Sequence, residues 1–159
     1  MSPVISFGAQ GSSGSELIAT RILRGARRMM STLGYSSVCE LVLPNGRRAD
    51  IVAISGAGRI AIIEIKSSVA DFRSDHKWPE YADYCDQLFF AVAPDGPADL
   101  IPAEAGLIVA DGFAGEIVRN APLLRIAAAK RRAMLLAFAI HAAERLHRLQ
   151  DPQTVERSR

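Results

Sequence analysis

The sequence predicts an α/β fold: a central mixed sheet of four to five strands, flanked by helices and ending in a long C-terminal helix. Three observations predict it. Short runs rich in β-branched and apolar residues (51–54, 60–65 and 88–93) are bounded by Gly, Pro and Ser and are too short for helices. Segments with helical spacing stand before the first run and after the last. A strand, a helix-competent stretch and another strand follow one another over residues 60–93, which makes a βαβ unit and hence a parallel pairing. With 159 residues, 49% of them hydrophobic, the chain is the size of one domain with one core. The domain is expected over residues 15–150, between flexible tails at 1–14 and 151–159.

In chain order, residues 1–14 are rich in Ser and Gly and have no periodicity. Ser13 and Glu16 fit a capping box, and Ala19, Ile22, Leu23, Ala26, Met29, Met30 and Leu33 follow at helical spacing up to Gly34, a good helix end. On another side of this helix Arg21, Arg24 and Arg28 form a basic stripe, read either as a solvent face or as a contact for DNA. Residues 37–43 form a first strand, with Glu40 either solvated on an edge or an auxiliary acid. Pro44-Asn45-Gly46 turns the chain into the strand that begins at Asp50. The tight Ser55-Gly56-Ala57-Gly58 connection folds that strand back beside 60–65. After a polar stretch, Pro79 suits the first turn of a helix running to about Gln87. Strands at 88–93, 107–110 and 116–119 follow, the last two joined by the glycine-containing turn 111–115. Asn120-Ala121-Pro122 then opens the long helix, expected to lay Leu124, Ala128, Leu135, Phe138, Ala142, Leu146 and Leu149 on the sheet.

Several function classes are disfavoured. Cys39 and Cys85 have no CxxC or Cys/His spacing, which argues against a zinc site or a disulfide framework. His141 and His147 are six apart, the wrong spacing to share a helix face as metal ligands. No apolar run reaches the roughly 18 residues of a membrane span. The N-terminus lacks a basic segment followed by an apolar one, so no signal peptide and a cytoplasmic location are expected. Net charge is only +2, yet residues 1–70 carry eight basic and four acidic side chains, 71–116 two and ten, and 117–159 nine and three. Such basic ends suit a phosphate backbone.

The chemistry concentrates in residues 45–68. Glu64 and Lys66 alternate with Ile63 and Ile65 along one strand, so they point the same way. Asp50, on the preceding strand, is placed to face Glu64. Lys, Glu and Asp are seldom buried unless they are paired or bind a metal, so three in an apolar sheet require an explanation. One is an ion-pair network of Asp50, Glu64 and Lys66. The other is a site for a divalent cation.

Asp50 followed by Glu64-Ile65-Lys66 resembles the PD-(D/E)xK nuclease superfamily, with Ala49 standing where the family's proline would be. The continuation through 70–75, 77–81, 84–86, 89–92 and 106–111 resembles the MmcB-type DNA-repair family within it, over about residues 15–150. The resemblance implies a restriction-endonuclease-like core and a nuclease that hydrolyses DNA phosphodiester bonds. Asp50, Glu64 and the backbone carbonyl of Ile65 would hold Mg2+ or Mn2+, and Lys66 would assist at the phosphate. Glu16 matches an acid that approaches the metal cluster in related nucleases, a reading that stands beside its capping role. Arg47, Arg48, Ser67, Arg73, Lys77 and Trp78 are the residues expected at the nucleic acid, where cations meet phosphates and rings stack on bases. For Arg47 and Arg48 the plainer alternative is solvation beside a turn, and for Trp78 it is packing on the sheet. The Lys130-Arg131-Arg132 cluster has the same two readings. The partners implied are DNA and other repair proteins, with a homodimer among the assemblies that superfamily members use. The alternative function is a non-catalytic module that keeps the nuclease fold and binds DNA or a repair partner.

Overall fold

The computed structural model describes residues 14–153. The expected N-terminal tail, the Ser13 cap and most of the expected C-terminal tail lie outside the described residues. Helix α1 (Gly14–Thr32) is followed by strands β1 (Tyr35–Val42), β2 (Arg48–Ser55) and β3 (Ile60–Ile65), then by the short helix α2 (Val69–Ser74) and a 3-10 helix, Trp78–Tyr84. Strands β4 (Gln87–Val92), β5 (Gly106–Ala110) and β6 (Gly115–Arg119) and the long helix α3 (Ala128–Gln150) complete the chain.

All six strands join one sheet in the order β1-β2-β3-β4-β5-β6, one more than the four to five expected. The strand read at 116–119 joins this sheet as β6, whose alternating exposure is that of a half-covered edge strand. The pairs β1–β2, β2–β3 and β5–β6 are antiparallel, and β3–β4 and β4–β5 are parallel, as the βαβ reading requires. The carboxyl ends of β3, β4 and β5 therefore leave the sheet on the same side, where open α/β sheets present their sites.

Two helical layers cover the sheet. On one face, Ile22, Ala26 and Met30 of α1 pack on Ile51, Ala53, Ala61, Ile63, Phe89, Ala91 and Ile108. On the other, Tyr81 of the 3-10 helix and Met134 of α3 pack with Val52, Ile60, Ile62 and Leu88. Burying a side chain such as Met134 is worth about 1.5–3 kcal/mol. Gly34 ends α1 with φ of 84°, a left-handed conformation that glycine adopts without strain.

Three expectations need correction. The helix begun by Pro79 is 3-10 and stops at Tyr84, because the Asp86 carboxylate is drawn away to the Ile60 amide at 2.7 Å and to Arg131. Helix α3 starts at Ala128 rather than at Asn120-Ala121-Pro122. The intervening segment is held extended by the Leu124 amide donating to the Asp86 carbonyl at 2.8 Å and by burial of Ala121 and Ile126. The face of α3 turned to the sheet carries Met134, Ala137, Phe138 and Ala142, whereas Leu135, Leu146 and Leu149 are exposed. His141 is also on the inner side, its Nε2 2.8 Å from the Cys39 carbonyl.

Candidate functional site

The site forms where the β2–β3 ladder ends. Paired residues run from Ile54↔Ile60 to Ile51↔Ile63, and beyond them the strands part. Two carboxylates fill the opening. The Asp50 amide donates to Glu64 Oε1 at 3.1 Å, and the Ile65 amide donates to Asp50 Oδ2 at 2.8 Å. Each acid thus satisfies a backbone donor that the ladder has abandoned, which removes the cost of leaving a buried amide unpaired. Asp50 Oδ1 and Glu64 Oε2 take no hydrogen bond among the described residues.

Glu64 is only 4% exposed. Burial, and next the negative charge of Asp50, push its carboxyl up to about 8. Burial raises Asp50 as well, against the Ile65 amide and the Lys66 charge, which favour its ionised form. Tyr81 closes the site from the 3-10 helix. Its hydroxyl donates to the Arg48 carbonyl at 3.1 Å, and burial, with the Glu64 and Asp50 charges, raises its pKa.

Lys66 is brought beside this pair yet makes no ion pair with it. Its Nζ lies 2.6 Å from Asp75 Oδ2, with both side chains largely buried, and sits 6.0 Å from the centre of the Phe90 ring. Burial pushes the Asp75 carboxyl up, but the bonds from Lys66 and from the Lys77 amide outweigh it and hold the group below the usual carboxylate range. Asp75 is the site residue that sequence reasoning missed. A lysine ending a buried strand needs a counter-charge, and the acids of residues 71–75 were where to look.

The other expected residues are distributed around this centre. Ile65 contributes its amide to Asp50 and its side chain to the core beneath α1. Ser67 donates its amide to Asp71 Oδ2 at 3.0 Å, and its hydroxyl meets that of Ser15 at 2.8 Å. This contact brings the first turn of α1 to the site. Glu16, the next residue, is exposed there, and its carbonyl accepts from Thr20. Among the described residues no three His, Cys, Asp or Glu stand together as a metal group, so Glu16 does not complete a set with Asp50 and Glu64. Arg47 is clamped to Glu80 through two nitrogens, whereas Arg48, Arg73 and Lys77 are exposed near the opening. Trp78 is half-buried and stands edge-on to Phe90, with ring centres 5.8 Å apart. Arg131 is taken up by Asp86, Lys130 pairs with Asp83, and Glu40, turned outward by φ of 56°, pairs with Arg145.

The donor set suits a hard divalent cation. A buried Glu64 and a half-buried Asp50 share the opening, each with one oxygen uncommitted and neither in a salt bridge among the described residues. Oxygen ligands of this kind favour Mg2+ or Mn2+, which bind through one or two carboxylates and keep several waters. An apolar groove of about 470 Å3 at the start of α3, lined by Ile126, Leu135, Leu136 and two arginines, contains none of these groups.

A model of the family described as DNA repair protein MmcB-like matches residues 9–153. The chain is 43% identical to a protein of unknown function from Silicibacter pomeroyi whose structure is solved. That match covers 87% of this chain and 95% of the other, with a TM-score of 0.84. No curated protein matches the chain. Among the described residues, no helix is long and apolar enough to cross a membrane.

Proposed function

The chain belongs to the MmcB-like DNA repair protein family, and from that premise we propose that it is a metal-dependent nuclease acting on DNA phosphodiester bonds. The observation that carries the proposal is the buried Glu64 beside the half-buried Asp50 at the open end of the β2–β3 ladder, a pair with no salt bridge among the described residues, while Lys66 follows directly after β3. A divalent cation there supplies charge neutralisation at the phosphoryl oxygens and a hydroxide source near neutral pH.

The chain's own residues have separate tasks. Asp50 and Glu64 would hold the cation, each having one carboxylate oxygen that accepts no hydrogen bond among the described residues. Burial and the Asp50 charge raise the Glu64 carboxyl to about 8, so Glu64 would have to lose its proton to act as a metal ligand at neutral pH. Lys66 places an ammonium where negative charge develops on the phosphate, with Asp75 fixing its direction. Arg48, Arg73 and Lys77 give the backbone phosphates a basic approach.

Calorimetric titration of Mg2+ and Mn2+ into wild type and Asp50→Ala tests this reading, followed by cleavage of branched and single-stranded DNAs with the same samples. Binding and cutting by wild type, both lost in the variant, are the expected results. A wild type that binds neither metal ends the catalytic reading.

One observation favours a second reading. Lys66 is already neutralised by Asp75, and among the described residues the acids near the opening do not form a group of three. A module that binds DNA or a repair partner and keeps the fold without cutting accounts for both features. It predicts metal-independent DNA binding unaffected by Asp50→Ala.

A further inference from the structure

The β5–β6 hairpin presents an exposed aromatic ring on a clamped turn beside a row of arginines. Phe113 at its tip is 73% exposed, although exposing a large apolar side chain gains the fold nothing. The turn beneath it is rigid. Asp111 Oδ1 accepts from the Phe113 amide at 2.7 Å and from the Ala114 amide at 2.9 Å, and the Asp111 amide donates to the Ala114 carbonyl at 3.0 Å. Gly25 of α1 packs directly against it: a Cβ there would lie 2.1 Å from the Asp111 carbonyl oxygen and 2.4 Å from that of Ala114. The ring is held out by a clamped turn rather than by a loose loop.

Guanidinium groups of α1 flank that turn. Arg21, Arg24 and Arg28 recur on one side of α1. Arg28 donates to the Phe113 carbonyl at 3.2 Å, and the Arg21 side chain comes within 3.5 Å of where a Cβ on Gly112 would stand. Arg24 is exposed and makes no hydrogen bond or ion pair among the described residues. The nearby acids are Asp111, whose carboxylate is taken up by two amides, and Glu116 on β6. An exposed ring beside a row of guanidiniums on α1 suits a nucleic-acid strand: ring faces stack on unpaired bases and guanidiniums meet the flanking phosphates.

The hairpin also lies on a path to the site. Strands β3, β4 and β5 are parallel, so the connections after β3 and β5 leave the sheet on the same side. Helix α1 touches the site through Ser15 and the hairpin through Gly25, ten residues or about 15 Å further along.

We infer that Phe113 is a stacking platform for an unpaired base and that Arg21, Arg24 and Arg28 hold the adjacent phosphates, so that the protein takes single-stranded or locally opened DNA in preference to intact duplex. The inference rests on the DNA reading above but not on cutting. Fluorescence anisotropy in EDTA, with a labelled single strand and its duplex, tests it on wild type, Phe113→Ala, Phe113→Trp, Arg24→Ala and Asp50→Asn. Phe113→Ala, which removes an exposed side chain and so leaves folding intact, should weaken single-strand binding roughly 5- to 100-fold, while Phe113→Trp retains it. Arg24→Ala should weaken binding and lower the salt dependence by about one charge. Equal single-strand affinities for wild type and Phe113→Ala overturn the inference, as does a wild type that binds duplex equally well or binds no oligonucleotide. Asp50→Asn separates the two claims. A Phe113 effect without metal-dependent cutting by wild type sinks only the nuclease reading, whereas cutting that needs Asp50 without a Phe113 effect sinks only this one.

Discussion

Replacing Glu64 with Gln should change how stability depends on pH in a direction opposite to that usual for acids. A carboxyl held at about 8 in the fold, against 4.5 for the free side chain, keeps its proton more tightly when folded. The folded state therefore binds more protons than the unfolded chain between those values, and stability falls as pH rises through the window. The full difference corresponds to at most roughly 5 kcal/mol. That is a large part of the 5–15 kcal/mol that typically holds a domain together. Asp50, raised for the same reason, adds to the slope with the same sign. Urea unfolding in EDTA at several pH values from 5 to 9 measures it. Wild type should lose several kcal/mol across the range, and Glu64→Gln, which keeps the shape without the proton, should lose much less. Millimolar Mg2+ should recover the wild-type loss at pH 8–9, because a cation that binds the ionised pair stabilises only the fold. A wild type equally stable at pH 5 and 9, or a variant with an unchanged slope, would refute the placement of Glu64 in a dry, like-charged opening.

Two further predictions follow from the same geometry. Asp75→Asn leaves the Lys66 ammonium buried without its counter-charge and should cost about 3 kcal/mol in urea unfolding; wild-type stability would mean that the ammonium finds water or another acid instead. Gly25→Ala drives a methyl group into two backbone carbonyls and should cost about 3 kcal/mol, lowering Tm by roughly 6–12 °C in a calorimetric scan, with an unchanged Tm showing that α1 and the β5–β6 turn are not in contact.

Much of the candidate site was legible because it is local. Asp50 and Glu64 sit on strands joined by a tight glycine turn, so alternation and turn chemistry alone bring them face to face. Asp75 was legible only as one of several acids after Lys66, because it reaches the lysine from beyond α2, a single turn and a half of helix whose polar sequence carries no periodicity. The inner face of α3 was misread for another reason. The helix has apolar residues all round, with Leu136 and Ile140 exposed as well as Met134 buried, so its spacing fits more than one orientation. The start of α3 was placed too early because Pro122 suits a first helical turn, whereas long-range bonds to Asp86 override that local preference. The Phe113 platform depends on α1 and β6 meeting at Gly25, a contact between segments about ninety residues apart that no spacing rule reveals.

The strand order has a consequence for assembly during synthesis. Every strand pairs with its immediate neighbour in sequence, so the sheet can be laid down from one edge to the other as the chain emerges. The Asp50 and Glu64 strands close over a short turn, a loop-closure step that is entropically cheap and fast. The two acids should therefore meet while α3 is still unmade, and the β1–β3 meander becomes a nucleus onto which the later parallel strands add one at a time.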